Sequence, residues 1–492
     1  LSLARDWQST KYGTNIMETL QRLHNRGSIS TGYEIDNSLK IEADNTEYLS
    51  RTPSSNTNRQ TFTYSTWVKR TEMGQTSALL EAYQDGTNFF ILQFAGSKGR
   101  ITVYNIDSGT DYGYTYTPAH RDTSAWYHIV FVSDTTNSTA SDRYQLYVNG
   151  VRVTDITTDY GTPPQNYNNN VNSTITHNIG RRQDGNTYMS AYLAETHLVD
   201  GTALAPTTFG EFDEDSGIWK PKQVTGVTYG TNGFYLDYST ASDLGADKVA
   251  GGNSNDFTEN NIAAADQATD TPTNNFCTLN VIANIENNAV VFTEGATVGS
   301  VSGGGNVSDH AMATMGFSSG KWYYEAYVTT GSTSDDAMFG FANTNGWYQG
   351  LGNDTYSAGA HQVGRWYYNS NTFTTTGATG WDKGDIVQIA IDCDNGKCWS
   401  GVNGTYSSGN PSTNTGGFDW DANVTNMSIG DLVIPVTRVL YTAPGTTYYN
   451  FGGYTLVPIS SAASDANGYG TFEYAPPTGF HALCTKNLEE YG

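Results

Sequence analysis

The clearest pattern in the chain runs from Trp126 to Val153. Over WYHIVFV, Trp126, His128, Val130 and Val132 alternate with Tyr127, Ile129 and Phe131, the period of two that a strand imposes on its faces. A polar tip follows, and Tyr144, Leu146 and Val148 resume the alternation before Asn149-Gly150. Asn-Gly between apolar runs predicts a two-residue type I′ hairpin, because both turn positions need a positive φ. That turn pairs Val148 with Val151 and Leu146 with Val153 on one face, and Tyr147 with Arg152 on the other. An antiparallel sheet buried on one face is expected.

The same grammar returns in GDIVQIAIDCDNGKCWSGVNG, Gly384 to Gly404. A two-residue turn at Asn395-Gly396 predicts Asp394 opposite Lys397, Cys393 opposite Cys398 and Asp392 opposite Trp399. Val387, Ile389, Ile391 and Cys393 then line one face. Gln388, Ala390, Asp392 and Asp394 line the other, so the two aspartates read as outer-face charges rather than a calcium loop.

Shorter alternations fill the rest. TFTYSTWVKR (61–70), FFILQF (89–94), ITVYN (101–105), ITHNIGRR (175–182) and YMSAYLAETHLVDG (188–201) read as strands. The stretch 107–122 reads as a loop carrying Tyr112, Tyr114 and Tyr116 two apart. From Phe209 to Asn280 the pattern is broken by polar, Gly- and Asn-rich sequence, although Phe234, Leu236 and Tyr238 alternate and could return a strand. Residues 1–29 differ from all of this. Ile16, Met17, Leu20 and Leu23 fall at helical spacing, with Thr14 and Asn15 as caps and Gly27 at the end. A helix this short is stable only when packed against something. Ile16, Leu20 and Leu23 are therefore expected to dock, either on this chain or as an anchor to a larger assembly.

Composition agrees with many short strands. The chain has 492 residues, enough for two or more domains, and is rich in Gly, with 53. Its 34 tyrosines exceed what a core usually takes, which points to semi-polar contact surfaces. The 25 basic and 49 acidic residues give a formal charge of −24. So acidic a protein repels phosphate backbones and anionic lipid, so neither nucleic-acid binding nor membrane insertion is expected. No cofactor is expected; Ca²⁺ is the one metal that the surplus of carboxylates would suit. The four cysteines, Cys277, Cys393, Cys398 and Cys484, lack metal-ligand spacing. A Cys393–Cys398 bridge fits the expected register, but two buried thiols are the expectation.

In order along the chain, STWVKR, AWYHIVFV, YQLYVNGV, HNIGR and AYLAETHLVDGTAL resemble the laminin-G-like branch of the concanavalin A-like lectin/glucanase superfamily. The resemblance covers about residues 33–240 and implies a jelly-roll sandwich. GKWYYEAYV (320–328), MFGFAN (338–343), the 384–404 hairpin, LVIPVTRV (432–439) and YYNFGG (448–453) resemble a SPRY domain, which implies a second bent sandwich presenting loops to a partner. The run from GEFDEDSGIWKPK to DTPTNNF looks like one recurring in fibre-like virion proteins of marine bacteriophages. The expected fold is therefore all-β: two jelly-roll, concanavalin A-like sandwiches joined by an irregular linker, after a short N-terminal helix. The expected division is 1–29 attachment segment, 30–240 laminin-G-like sandwich, 241–280 linker, 281–480 SPRY-like sandwich and 481–492 extended tail.

The first superfamily includes glycoside hydrolases, which carry Glu-x-Asp-x-(x)-Glu on one strand so that two carboxylates share a face. Glu211-Phe212-Asp213-Glu214-Asp215 starts that motif but lacks its closing Glu, and it sits in a turn-rich segment before Pro221. His128 and His177 lie within strands and read as hydrogen-bonded structural histidines. No nucleophile accompanies His361, and GSVSGGGNVS lacks the Lys and helix of a phosphate loop. No enzyme activity is expected. Surfaces remain: sugars lay their C–H faces on aromatic rings while amides and carboxylates take the hydroxyls. Tyr112, Tyr114, Tyr116, Trp347, Tyr348, Trp366 and Tyr367 are the candidates, with core packing as the competing reading for each.

The resemblance implies a bacteriophage virion protein, found on the particle after assembly in the host cytoplasm, as a tail fibre, tail tip or head fibre touching host glycans. Its expected partners are other virion proteins, a host-surface polysaccharide and further copies of itself, as a trimer. A purely structural connector between virion proteins is the first alternative, and a polysaccharide depolymerase the second.

Overall fold

The Asn149-Gly150 turn forms as its sequence requires, with φ of 47° and 76° in the computed structural model. Val151 pairs Val148, Arg152 pairs Tyr147 and Val153 pairs Leu146. The structure describes residues 32–492 apart from 184–185, 253, 286–289, 302–308, 330–336, 346–349, 371 and 440–444. The expected N-terminal helix with Ile16, Leu20 and Leu23 lies outside the described residues, and so do Trp347 and Tyr348.

The hairpin is one margin of sheet I. From Val151–Val153 this sheet runs through Tyr144–Val148, Tyr127–Asp134, Thr61–Arg70, Ala191–Asp200 and Ser38–Ile41 to Gln267–Ala268. Sheet II runs Ile156–Gly161, Thr110–Ala119, Arg100–Asp107, Asn88–Ala95, Ser77–Asp85, Thr176–Ile179, Tyr48–Arg51 and Thr258–Asn260. The sheets enclose a core of Ile129, Phe131, Leu146, Phe90, Leu92 and Val103 among others, and Tyr64 crosses it to donate to the Leu79 carbonyl at 2.8 Å. Removal of this apolar area from water is the main term holding the two layers together.

A second jelly-roll sandwich follows. Sheet III runs Leu279–Ile285, Asp309–Ala313, Val433–Val439, Met338–Asn343, Ser357–His361, Arg365–Tyr368 and Thr372–Thr374. Sheet IV runs Val290–Thr293, Val298–Val301, Gly445–Asn450, Lys321–Val328, Ile386–Asp392, Lys397–Val402 and Phe418–Asp419. The 384–404 hairpin differs from expectation in its register: Asp392 pairs Lys397 and Ile391 pairs Cys398. The Asp392 carboxylate accepts from the Asn395 backbone at 3.0 Å and its amide at 2.9 Å, which wraps a four-residue loop in place of the two-residue turn. A slip of two residues preserves each side chain's face, so Val387, Ile389, Ile391 and Cys393 still enter the core. Cys393 and Cys398 are free, buried thiols, as are Cys277 and Cys484. Burial pushes the thiols of all four upward, which keeps them protonated and inert.

Three expectations fail because connecting segments fold onto the sheets, extending their edges or covering faces that alternation marks as exposed. Residues 241–280, expected as a linker, supply Thr258–Asn260 beside Tyr48–Arg51 and Gln267–Ala268 beside Ser38–Ile41. Runs of two or three paired residues are too short to leave a period in the sequence. Residues 481–492, expected as an extended tail, place His481–Ala482 parallel to Lys321–Val328 and fold Thr485–Tyr491 into a helix with Leu488 buried. Phe276, Phe472, Phe480 and Ala482 thereby cover Tyr323, Ala390 and Trp399 on the outside of sheet IV. Asp392, expected on an outer face, is fully buried and paired with Lys321 at 3.0 Å. Asp394 accepts from the Gly320 N–H at 2.8 Å.

Buried charges join the two sandwiches. Lys40 of sheet I reaches Glu294 of the second sandwich at 2.7 Å, Asp266 at 2.8 Å and Glu47 at 3.2 Å. Lys69 is paired with Asp270 at 2.7 Å and donates to the Phe276 carbonyl at 2.9 Å. Tyr192 donates to the Gly295 carbonyl at 3.0 Å, and its ring meets Tyr454 edge-on at 6.2 Å. Buried charges offset their desolvation only when the partners meet in good geometry, so these contacts are sensitive to how the second sandwich sits against the first.

Candidate functional site

Most of the tyrosines singled out in the sequence point inward. Residues 107–122 are not a loop: Arg100–Asp107 turns at Ser108-Gly109, with φ of 51° and 79°, straight into Thr110–Ala119. Tyr112, Tyr114 and Tyr116 keep their spacing of two and therefore share a side, which is the core side. Tyr116 and Tyr114 pack among the core residues of the first sandwich, and the Tyr114 hydroxyl meets Thr162 at 2.8 Å. Tyr112 sits half-buried at the rim against Tyr167, ring centroids 4.9 Å apart. Trp366 is fully buried, stacked on Phe418 and donating to the Gly377 carbonyl at 3.1 Å. Tyr367, one residue on and hence on the opposite face, is half-buried beside His361 and Phe373. Tyr114, Tyr116 and Trp366 are thus core residues and not ligand contacts.

The outside of sheet I is also occupied. The hairpin Gly210–Phe212 and Trp219–Pro221 folds over it, and Trp219 donates from its indole to His128 Nδ1 at 2.9 Å. An indole nitrogen only donates, so His128 is neutral with its proton on Nε2, donating to Ser65 Oγ at 2.8 Å. His128 lies between the rings of Trp67 and Trp219, at 4.6 and 5.9 Å. A Cβ on Gly150 or Gly210 would strike the Trp219 ring at 2.3 or 2.6 Å, so both glycines are needed for this stack. Burial, with His197 adding to it, pushes the His128 pKa down to about 3. Its folded value lies below its unfolded value near 6.5, so the unfolded chain takes the proton first and stability falls as pH drops from about 6.5 toward 3. His128→Gln removes that titration. Its stability deficit against the parent chain, measured by urea melts at pH 7.5, 6 and 5, is expected to shrink as pH falls; a deficit constant across that range would contradict the assignment.

The acidic run is structural too. Asp213 Oδ1 accepts from the backbone of Ser216 at 2.9 Å, and Asp213 Oδ2 pairs with Lys220 at 3.0 Å. These hydrogen bonds and the lysine hold its carboxyl well below the usual range. Glu211 faces Lys220 and Lys222, each at 3.9 Å. The carboxylates close a hairpin turn.

The outer face of sheet II is different: its apolar cluster comes from the strands themselves, with Ala78, Phe89 and Ile91 flanked by Tyr83, Tyr104 and Ile106. Four rings form a row across it. Tyr83 lies 6.0 Å from Phe89, Phe89 lies 5.6 Å from Tyr104, and Tyr104 lies 5.4 Å from Tyr160. Phe89 is buried beneath the row, Tyr83 and Tyr104 are half-buried, and Tyr160 on the edge strand is 38% exposed. Gly113 pairs with Tyr104 at a φ of 142°, and a Cβ there would strike the Val103 carbonyl oxygen at 2.1 Å and Tyr104 Cα at 2.6 Å, so this strand pairing needs glycine. Polar groups flank the rings: Arg182 donates to the Tyr104 hydroxyl at 3.5 Å, and the Tyr160 hydroxyl lies 3.4 Å from Thr115 Oγ1. Buried Glu81 accepts from the Asn178 amide at 3.0 Å and the Gln183 N–H at 2.8 Å. Amphipathic rings beside a guanidinium and hydroxyl groups are suited to hydroxyl-rich ligands, while the buried Glu81–Asn178 pair braces the strands beneath them. FFILQF and ITVYN carried this signal in their alternation, since Phe89, Ile91 and Tyr104 are the members opposite the core set Phe90, Leu92 and Val103.

Among the described residues, no group of three or more His, Cys, Asp or Glu side chains could hold a metal ion. No helix among them is long and apolar enough to cross a membrane.

Comparison with known proteins bears on the first sandwich. No curated protein matches the chain. Among solved structures, the SPRY domain of human HERC1 is similar at 14% identity over 35% of this chain and 96% of that one, with a TM-score of 0.27. A heptameric SAP-like pentraxin from Limulus polyphemus is similar at 16% identity over 35% of this chain and 80% of that one, with a TM-score of 0.26. Domain 4 of AbnA, a GH43 extracellular arabinanase from Geobacillus stearothermophilus solved with arabinotriose, is similar at 16% identity over 31% and 65%, with a TM-score of 0.22. Residues 43–207, which hold the aromatic row, match the laminin-G family of the concanavalin A-like lectin/glucanases superfamily.

Proposed function

We propose that this chain is a non-enzymatic, glycan-binding structural protein of a bacteriophage particle, which meets host-surface polysaccharide through the outer face of sheet II. The observation that carries the glycan reading is the ring row Tyr83, Phe89, Tyr104 and Tyr160 on the outer face of a lectin-like sandwich, with Tyr160 exposed at its edge. The engagement of Glu211 and Asp213 in a lysine-bridged turn supports binding without hydrolysis. The likeness of the 210–276 run to fibre-like virion proteins of marine bacteriophages supports a tail fibre, tail tip or head fibre. In this reading the SPRY-like second sandwich and residues 1–29 face other virion proteins, and the chain works as a homotrimer.

Tyr160 is the most exposed ring and tests the face with least risk to folding. Tyr160→Ala is expected to weaken binding to purified host polysaccharide about two- to tenfold, the equivalent of about 0.5–1.5 kcal/mol for one stacked ring. Tyr160→Trp, which restores a ring, is expected to bind as the parent does. Equal binding by the parent and the alanine variant would remove the face from the proposal.

A further inference from the structure

A cleft of about 390 Å³ opens at the junction of the two sandwiches, far in sequence from the aromatic row. One wall is the lead-in to sheet I, with Glu34, Asp36 and Asn37; the other belongs to the C-terminal cover of sheet IV, with Tyr469, Thr471 and Lys486. Ile35 and Phe276, both buried, contribute apolar surface to it.

The charges in the cleft are already assigned. Lys486 reaches Glu34 at 2.6 Å, and its ammonium lies 5.5 Å from the centre of the Tyr469 ring. That leaves no unpaired cation in the lining to attract an anion. It also leaves groups without work in the protein: among the described residues, the Asp36 carboxylate, the Asn37 amide and the Tyr469 and Thr471 hydroxyls take part in no hydrogen bond or ion pair. A carboxylate, an amide and two hydroxyls around a tyrosine ring can each take a sugar hydroxyl, while the ring and the apolar floor take C–H faces. Asp36 beside Glu34 disfavours carboxylated or phosphorylated sugars. The volume falls within the range of small-ligand pockets.

We propose that this cleft is a second saccharide site, specific for a neutral sugar unit and built by both sandwiches together. A sugar held there touches elements of both bodies, so its binding braces their junction in addition to occupying a site. The proposal stands on the cleft and not on the aromatic row, and separate variants test the two.

The full chain is titrated by saturation-transfer NMR with methyl α-D-glucopyranoside, methyl α-D-mannopyranoside and methyl β-D-galactopyranoside, with D-glucuronate as the charged comparison. At least one neutral glycoside is expected to bind, and glucuronate at least tenfold more weakly. Asp36→Ala and Asn37→Ala are each expected to lower affinity about tenfold, the loss of one hydrogen bond to a charged or polar partner, with melting temperature unchanged. The variants are compared in a Tyr160→Ala background, which weakens the aromatic row equally in all of them, and Val363→Ala, at an exposed position outside both sites, should leave this binding intact. Absence of binding by all three glycosides at millimolar concentration overturns the site. So does binding that survives both cleft variants, that prefers glucuronate, or that is lost in Val363→Ala.

Discussion

Lys40→Met is expected to destabilise the full chain by about 3–5 kcal/mol, the usual result of removing one partner from a buried ion cluster. The ammonium is 1% exposed and holds three carboxylates, those of Glu47, Asp266 and Glu294, within 3.2 Å. These come from the first sandwich, its returning segment and the second sandwich, so the loss falls on the junction as well as on sheet I. Methionine fills the volume but leaves three carboxylates facing one another away from water. Burial already holds Glu42 and Glu47 above the ordinary carboxylate range even with the lysine present. A carboxylate raised in the folded state costs stability above its folded pKa, and the cost disappears as pH falls below its unfolded value near 4.3. The deficit of the variant should accordingly narrow as pH is lowered from 7 toward 4. Denaturant melts at three pH values measure both features; a variant within about 0.5 kcal/mol of the parent at pH 7, typical of a surface change, would contradict the account.

Tyr116→Ala is expected to cost about 3–5 kcal/mol, as other buried aromatic truncations do, and to lower the melting temperature accordingly. The side chain is 3% exposed and meets Tyr114 edge-on at 6.1 Å. Burial, with Tyr114 adding to it, pushes its hydroxyl above the ordinary phenol range. Tyr160→Ala, on the edge strand paired with that of Tyr116, should shift stability by less than about 0.5 kcal/mol. The contrast separates core tyrosine from surface tyrosine in one sheet. A Tyr116 variant that melts with the parent would return residues 107–122 to the surface.

The tyrosines also show why composition misled. Thirty-four of them suggest contact surface, and the three at 112, 114 and 116 looked like a loop platform. Their spacing of two was a strand signal, but it fixes only that they share a side. Which side is chosen by the opposite sheet, whose Phe131 and Leu146 share one core with Tyr114 and Tyr116. On the neighbouring strands the same alternation placed Phe89 and Tyr104 outward, where they carry the candidate face. That face was written in FFILQF and ITVYN as plainly as the hairpin was in YVNGV, yet it could not be told from a second core face.

Local chemistry determined a good deal by itself. Asn149-Gly150 fixed a turn and its register because few residues other than glycine and asparagine accept positive φ twice in succession. Period-two alternation fixed the β class and, at Gly384–Gly404, the facing of every side chain even where the register slipped by two. Tertiary structure alone decided exposure. Asp392 and His128 lie on faces that alternation leaves to solvent, and they are buried because segments distant in sequence, residues 472–482 and the Trp219 hairpin, fold across them. The Lys40 cluster likewise gathers residues 40, 47, 266 and 294, a separation no local pattern spans. Sequence periodicity reports the two sides of a strand; the long connectors decide which of those sides meets water, because covering a face depends on where the rest of the chain comes to rest.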